Sequence, residues 1–467
     1  MNSKNRFRFA EIVLVIVLLG SVDMSLFGSV QADSDVPAEY RQLYSTLESS
    51  LESFDAYLDS HTTGTTYPVI FGSELLPANA NRGPELLVPH TMQAVSLYLD
   101  RLKELGVQGV TVPVGYPLYT PVFPHYNDYV QFYKQVVQEV RKRGMKIDVE
   151  SAVIFANTEF STLNVNYTGL TFDQFKTERK QMIAAIVHDL KPDFLNLGAE
   201  PDTEYELSGL KELSIPDKYT EYVNYVLVGL DRGSTKIGAG IGSWGNMEYV
   251  KDLASKTNLD AIFIHVYPIT GNYLQNILAI TSIAKQYGKA VLLDEAWLYK
   301  VDRPSSNGVA ASGEIFRRDA FSFWGPLDQK FLAVLVKSAE IANIEYISPF
   351  WTQFFFGYVD YSSSTASLSY KQMSSLVDQA ASENILADQF TSTGQFYGQL
   401  ANAGISSITT TKISTNKSSG LIAALLITVV AMGVVAGVVL LRRRPKKGQA
   451  RWPNLKLAIA LQFVHVA

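Results

Sequence analysis

The chain of 467 residues is 47% hydrophobic and carries a formal net charge of −5, enough apolar content for a large core and no basic face for a nucleic-acid partner. It has no cysteine, which excludes disulfides and thiolate metal sites, and its six histidines show no metal-ligand spacing, so neither a metal nor another cofactor is expected. Tyrosine, phenylalanine and tryptophan are plentiful, a composition suited to stacking against flat ligands.

In chain order, Lys4, Arg6 and Arg8 precede the apolar run "EIVLVIVLLGSV", and small residues in "SVQA" (29–32) follow, so residues 1–32 read as a secretory signal peptide. Residues 33–65 form an N-terminal helical segment around "AEYRQLYSTLESSLESFDAYL". From 66 to 402, apolar β-rich runs alternate with amphipathic segments of helix length. The runs are "YPVIFGSE" (67–74), "VQGVTVPVGY" (107–116), "KIDVES" (146–151) and "DFLNLGAE" (193–200) in the first half. In the second half they are "KIGAGIGS" (236–243), "DAIFIHVYP" (260–268), "AVLLDEAW" (290–297) and "EYISPFWTQ" (345–353). Eight continuous apolar strands, each reached through a helix, predict a buried parallel sheet closed into a (β/α)₈ TIM barrel of the α/β class. Residues 403–420 are Ser/Thr-rich and read as a stalk. The uncharged run 421–441 has the length of a transmembrane helix. "RRRPKK" opens a basic tail (442–467) that the positive-inside rule places in the cytoplasm, leaving the barrel at the cell surface.

Helix-to-strand turns are short, whereas the strand-to-helix connections 152–171, 201–218 and 298–329 are long and belong to the face where barrel sites are built. The last carries Phe321, Phe323 and Trp324, an expected wall over a cleft. At the carboxyl ends of the strands stand Glu74, Tyr116, Glu150, Glu200, Trp244 (just after the fifth), His265, Tyr267, Glu295, Trp297 and Trp351. Acids and aromatics at one rim suit a carbohydrate cleft, because glycoside cleavage needs two carboxyl groups flanking the bond. Glu200 and Glu295 end strands four and seven, on opposite sides of an eight-strand barrel. A simpler role for Glu200, just ahead of Pro201, is to favour the positive N-terminus of the next helix.

"GAEP" (198–201), "HVYP" (265–268), "LLDEAW" (292–297) and "PFWTQ" (349–353) together resemble the retaining glycoside hydrolases of clan A, the 4/7 superfamily of barrel glycosidases. The resemblance covers roughly residues 66–380. It implies that Glu200 is the acid/base and Glu295 the nucleophile, that Tyr267 hydrogen-bonds the nucleophile, and that Trp351 floors the sugar. His265, Glu150, Trp297, Trp244, Tyr116 and Glu74 are then expected to line the substrate site. One position departs from the pattern: the clan's Asn before the acid/base, which contacts the sugar 2-hydroxyl, is Ala199 here. A barrel that binds carbohydrate without cutting it is therefore the alternative expectation. "GIGSWG" (240–245) fits G-x-G-x-x-G, but no acid ends a strand about 20 residues later, so no nucleotide partner is expected.

Overall fold

A computed structural model describes residues 36–61, 65–301 and 312–403. The expected signal peptide, stalk, 421–441 helix and basic tail lie outside these residues. Among the described residues, no helix is long and apolar enough to cross a membrane.

Eight parallel strands make one sheet: β1 (Ile70–Phe71), β2 (Gly109–Pro113), β3 (Lys146–Glu150), β4 (Phe194–Asn196), β5 (Lys236–Gly242), β6 (Ala261–Val266), β7 (Ala290–Ala296) and β8 (Tyr346–Ile347). They pair in the order β1-β8-β7-β6-β5-β4-β3-β2. The first and last in that order also meet: Glu74 bridges Thr111, and the Gln108 and Thr111 N–H groups donate to the carbonyls of Phe71 and Ser73. The sheet is thus a closed barrel, and each of the eight runs read from the sequence contains one strand. β2 and β6 are buried along their whole length, the pattern of strands covered on both faces.

The barrel interior is filled in layers. Phe194, Phe263, Leu292 and Tyr346 form an apolar floor. The floor explains the alternating glycines of β5, since a Cβ at Gly240 would lie 1.7 Å from the Phe263 carbonyl oxygen and one at Gly238 would meet the Phe263 ring. The G-x-G pattern there makes room for a neighbouring strand. Nearer the mouth, Asp148, Asn196, His265 and Asp294 are all buried; Asn196 Nδ2 donates to Asp294 Oδ2 at 2.6 Å. The pairing of β6 with β7 shifts between Phe263 and His265: two residues of β6 stand against three of β7, since Phe263 pairs Leu292 and His265 pairs Glu295. This bulge lets Asp294 and Glu295, adjacent in sequence, both reach the groups around His265.

Two of the long connections hold more structure than a loop. Pro201 opens a helix, Pro201–Ser208, which Gly209 ends in the left-handed conformation, and Pro216 opens another, Pro216–Leu227. The 298–329 connection includes the helix Gly313–Asp319 and the start of the helix Gly325–Ala342. The three aromatics expected to wall a cleft do not line it. Phe321, Phe323 and Trp324 pack instead with Tyr40 and Tyr361, and Trp324 stacks on Tyr44 at 5.7 Å. They fasten the N-terminal helix Arg41–His61 to the outside of the barrel, helped by Lys330 with Glu48 and Glu52 and by Lys337 with Asp55 and Asp59. An amphipathic helix buries its Leu47, Leu51, Phe54 and Leu58 face against whatever apolar surface is offered, and this connection offers it.

Just past β7, Lys300 is fully buried, paired with Asp328 at 2.5 Å, and its backbone N–H donates to Asp319. Burial pushes the Asp319 carboxyl up to about 7 even with this cation beside it. Replacing Lys300 by Met is expected to destabilise the fold by about 3 kcal/mol, because two buried carboxyls lose their counter-charge. Urea unfolding measures it, with a larger loss expected at pH 8 than at pH 6, where the orphaned acids take up protons.

Candidate active site

A cleft of about 700 Å³ opens at the carboxyl ends of the strands. Glu74, Glu150, Glu200, Trp244, His265, Tyr267, Glu295 and Trp351 all line it, so eight of the ten expected site residues come together.

Glu200 and Glu295 converge on one imidazole. His265 Nδ1 lies 2.9 Å from Glu200 Oε1 and 3.4 Å from Glu295 Oε2. Glu200 does occupy the N-cap position of the Pro201–Ser208 helix, but its carboxylate makes no capping hydrogen bond. It turns to His265, which rules out the simpler helix-end role. The backbone helps here: Gly198, with φ of +140°, breaks the strand's alternation just before Ala199 and Glu200. A Cβ at Gly198 would also press on the Tyr219 hydroxyl at 2.8 Å. Tyr267 donates to Glu295 Oε2 at 2.9 Å, the contact that the resemblance implies. Its ring stacks on Tyr299 at 4.6 Å, which fixes the phenol's direction.

His265 is the electrostatic centre. Burial alone would lower its pKa, but the charges of Glu295 and Asp294 raise it well above the usual histidine range. Its Nε2 stands 3.3 Å from Asp294 Oδ1. A charged imidazolium therefore sits between acids on three sides. Burial pushes the Glu150 carboxyl up to about 8, and burial together with the charge of Glu150 raises Glu295 well above the carboxylate range. Glu150, His265 and Glu295 bring one donor atom each within 4.8 Å of one another, close enough for a metal ion to be considered.

Aromatic side chains shape the walls. Trp244 donates from Nε1 to Asp202 at 2.8 Å and lies 6.0 Å from Tyr267, ring to ring. Trp351 adopts a left-handed backbone conformation (φ +56°), costly for a bulky residue and informative at a site. Its indole packs edge-on to Phe160 from the 152–171 loop. That loop is tied to the far side of the cleft, where Glu159 accepts from the Gly313 N–H.

Two expected residues lie elsewhere. Tyr116 is buried and turned outward, stacked near Tyr167 and edge-on to Phe175, with its hydroxyl donating to Glu178 on the helix Phe172–Leu190. Trp297 is 1% exposed and packs on Phe354 at 5.6 Å, behind Trp351 and outside the cleft. Both ends of strand carry an aromatic, but strand alternation decides which face it takes, and here it is the outer one.

Other cleft residues were not singled out from the sequence. Tyr299 follows Trp297 by two positions and takes the wall expected of it. Asn79 and Asn81, in the connection after β1, bring the cleft its amides, and Asn79 Nδ2 donates to Glu74 Oε1 at 3.0 Å. Ala199, in place of the clan's Asn, is fully buried in the floor among Phe194, Phe263, Leu292 and Tyr346 and does not line the cleft. Behind the site, buried Arg179 donates to Tyr222, to Ser151 Oγ, and to the carbonyls of Ser151 and Leu197. It also faces Glu204 at 3.8 Å. One guanidinium thus joins the ends of β3 and β4, which carry Glu150 and Glu200.

No protein-family model and no curated relative matches the chain. Among solved structures, it is similar to GH5_18 from Bifidobacterium longum, with 15% identity over 72% of this chain and 79% of that one and a TM-score of 0.47. It is also similar to endoglucanase Cel5A of Thermotoga maritima (16% identity, 60% and 86% covered, TM-score 0.38). An endo-β-1,4-mannanase double mutant from Cellulomonas fimi is a third (15% identity, 68% and 70% covered, TM-score 0.38).

Proposed function

We propose that this barrel is a β-glycoside hydrolase that cleaves a β-linked oligo- or polysaccharide by double displacement with retention. The observation that carries the reading is the shared contact of Glu200 and Glu295 with His265 Nδ1. A shared contact on one ring nitrogen brings the two carboxylates close, which favours the ~5–5.5 Å spacing of a retaining pair over the ~6.5–9.5 Å of an inverting one. In the first step Glu295 attacks the anomeric carbon while Glu200 gives its proton to the departing glycosidic oxygen. In the second, Glu200 takes a proton from water as that water attacks the same carbon, and the bond to Glu295 breaks. Trp351 and Trp244 offer faces on which sugar rings can stack.

The uncharged run 421–441 and the basic segment after it support a protein tethered in a membrane with the barrel outside the cell.

A panel of β-linked polysaccharides and aryl β-glycosides, with the stereochemistry of the first-formed product read by NMR, tests the reading. Glu200→Ala is expected to lower kcat by about 10²- to 10⁴-fold on natural glycans, and far less on aryl glycosides whose leaving groups need no protonation. Equal losses on both would contradict the acid/base role. Glycan affinity with no turnover on any substrate would leave the cleft a binding site.

The sign of the substrate also follows. Eight acidic side chains line the cleft, and burial moves Glu74, Glu150, Glu204 and Glu295 among them toward the neutral form; Arg82 and His265 are its cationic side chains, and Arg82 is paired with Glu85. An aryl β-uronide is therefore expected to react at least about tenfold more slowly in kcat/KM than its neutral parent, with the gap narrowing as salt is added. Paired assays at low and high ionic strength measure this.

A further inference from the structure

The two sides of the cleft are built to different heights. On one side, β5 gives way to the helix Met247–Lys256 and β6 to the helix Tyr273–Gln286 after only a few residues, so the rim there is low. Trp244 and Thr270 line the cleft at this rim and are half-buried, and Glu206 on the helix Pro201–Ser208 is exposed. In a ring of eight strands, β1 and β2 stand opposite β5 and β6. There the 152–171 connection rises, which β3 completes before the helix Phe172–Leu190 begins.

This connection is fastened to three others. It crosses first to the one after β1, where the Phe155 N–H donates to Asn81 Oδ1 at 2.8 Å. The Ser161 hydroxyl and the Thr162 N–H donate to the Asn81 carbonyl at 2.9 and 3.1 Å, and Thr162 Oγ1 donates to the Arg82 carbonyl at 2.8 Å. Leu163 fills the space beside Gly83, where a Cβ would lie 2.5 Å from its Cγ. Phe160 packs edge-on to Trp351 after β8, and to Tyr370 beyond it, at 5.9 and 5.8 Å between centroids. Glu159 accepts from the Gly313 N–H in the connection after β7. Phe155, Thr158, Glu159 and Phe160 of this strap line the cleft. Backbone groups paired across connections make it a fixed wall.

We propose that the strap closes one end of the cleft, so that the site receives the non-reducing end of a β-linked glycan and not its middle. The direction rests on the roles proposed for Glu200 and Glu295. The leaving sugar must reach the proton of Glu200 at the end of β4, and the neighbour of β4 in the ring is β5, with its low rim. It departs over Trp244. The sugar that Glu295 holds then lies toward the strap. Its terminal hydroxyls meet the wall, and no further sugar can precede it. The barrel trims chains from that end.

Pentasaccharides of β-linked glucose, mannose and galactose, each carrying a fluorophore at the reducing end, test this with the full-length protein. Unlabelled sugar should be released while the label steps in order to shorter chains, and a matching polymer should keep its viscosity as reducing sugar accumulates. A bulky acetal across the terminal hydroxyls of the non-reducing end should clash with the wall and lower kcat/KM by at least about a hundredfold. Capped chains cleaved within about threefold of uncapped ones, or an early fall in viscosity, would overturn the proposal and leave the glycosidase reading intact. If the cleft binds these chains without cutting them, calorimetry on the same pair decides. The cap should then weaken Kd by at least about tenfold, and equal Kd values would overturn the proposal. The strap itself is tested by the double variant Glu159→Ala, Phe160→Ala, with its urea midpoint as the check on folding. The folded variant should narrow the gap between capped and uncapped chains by at least about tenfold. An unchanged gap would place the end of the cleft elsewhere and overturn the assignment to this strap.

Discussion

If Glu295 is the nucleophile proposed above, replacing it by alanine is expected to lower kcat on the best β-glycoside by on the order of 10⁴- to 10⁶-fold, because the proposed covalent intermediate cannot form without the attacking oxygen. The lost group has no substitute within reach. Glu150 is a neighbouring carboxyl, but the proposed attack is not assigned to it, and the proposal gives Glu200 to the leaving oxygen. The alanine leaves a space beside Tyr267 and His265 into which azide fits. Attack from that side should restore turnover and give a glycosyl azide of inverted configuration. Glu295→Gln fills the space and should resist rescue. Stability should move the other way: removing one acid from a crowded, buried cluster relieves repulsion, so Glu295→Ala is expected to unfold at equal or higher urea concentration than the wild type. A variant that turns over within tenfold of the wild type, with no response to azide, would remove Glu295 from the chemistry.

The second large effect is expected at Arg179, a residue that touches no part of the cleft. Arg179→Met would take the guanidinium donor from the Ser151 carbonyl, leave the Leu197 carbonyl with the Tyr222 hydroxyl, and leave Glu204 buried without its cation. Glu204 is 1% exposed, and burial already pushes it up to about 7 against the pull of Arg179. Breaking a buried pair of this kind costs about 3–5 kcal/mol, and the hydrogen bonds lost with it place the expected loss within that range. Arg179→Lys should recover only part of it, since one ammonium cannot reach the carbonyls of two strands and the Tyr222 hydroxyl together. Urea midpoints of the two variants decide between this account and a passive arginine. In the surviving folded fraction, kcat should drop as well, because the joined ends of β3 and β4 set the spacing of Glu150 and Glu200.

The barrel was legible because its signal is repeated eight times: each strand is a continuous apolar run, and each is followed by a segment with helical periodicity. The opposed pair was legible for the same reason, since strand order alone puts Glu200 and Glu295 across the mouth. What the sequence hides is direction. Tyr116 and Trp297 end strands as Tyr267 and Trp351 do, but they face outward onto helices. Phe321, Phe323 and Trp324 look like a lid, yet they receive the N-terminal helix. An aromatic residue satisfies any apolar surface, so composition cannot choose between a substrate and a neighbouring helix. Arg179 was invisible for a different reason: it lies in a helix among other charged residues, and only burial separates it from a solvated one. Ala199 was read as a missing contact. In the structure it belongs to the floor, and the amides of the cleft come from the connection after β1 instead.

The extra residue that β7 inserts opposite β6 separates two duties that a regular strand would force onto alternate positions. Asp294 answers to the interior, where Asn196 and His265 hold it, while its immediate neighbour Glu295 answers to the cleft. Each can change without moving the other's side chain to a new face. A lineage could thus lose or alter the Glu295 carboxyl and still inherit an intact interior, so the proposed catalysis would be easier to surrender than the fold that supports it.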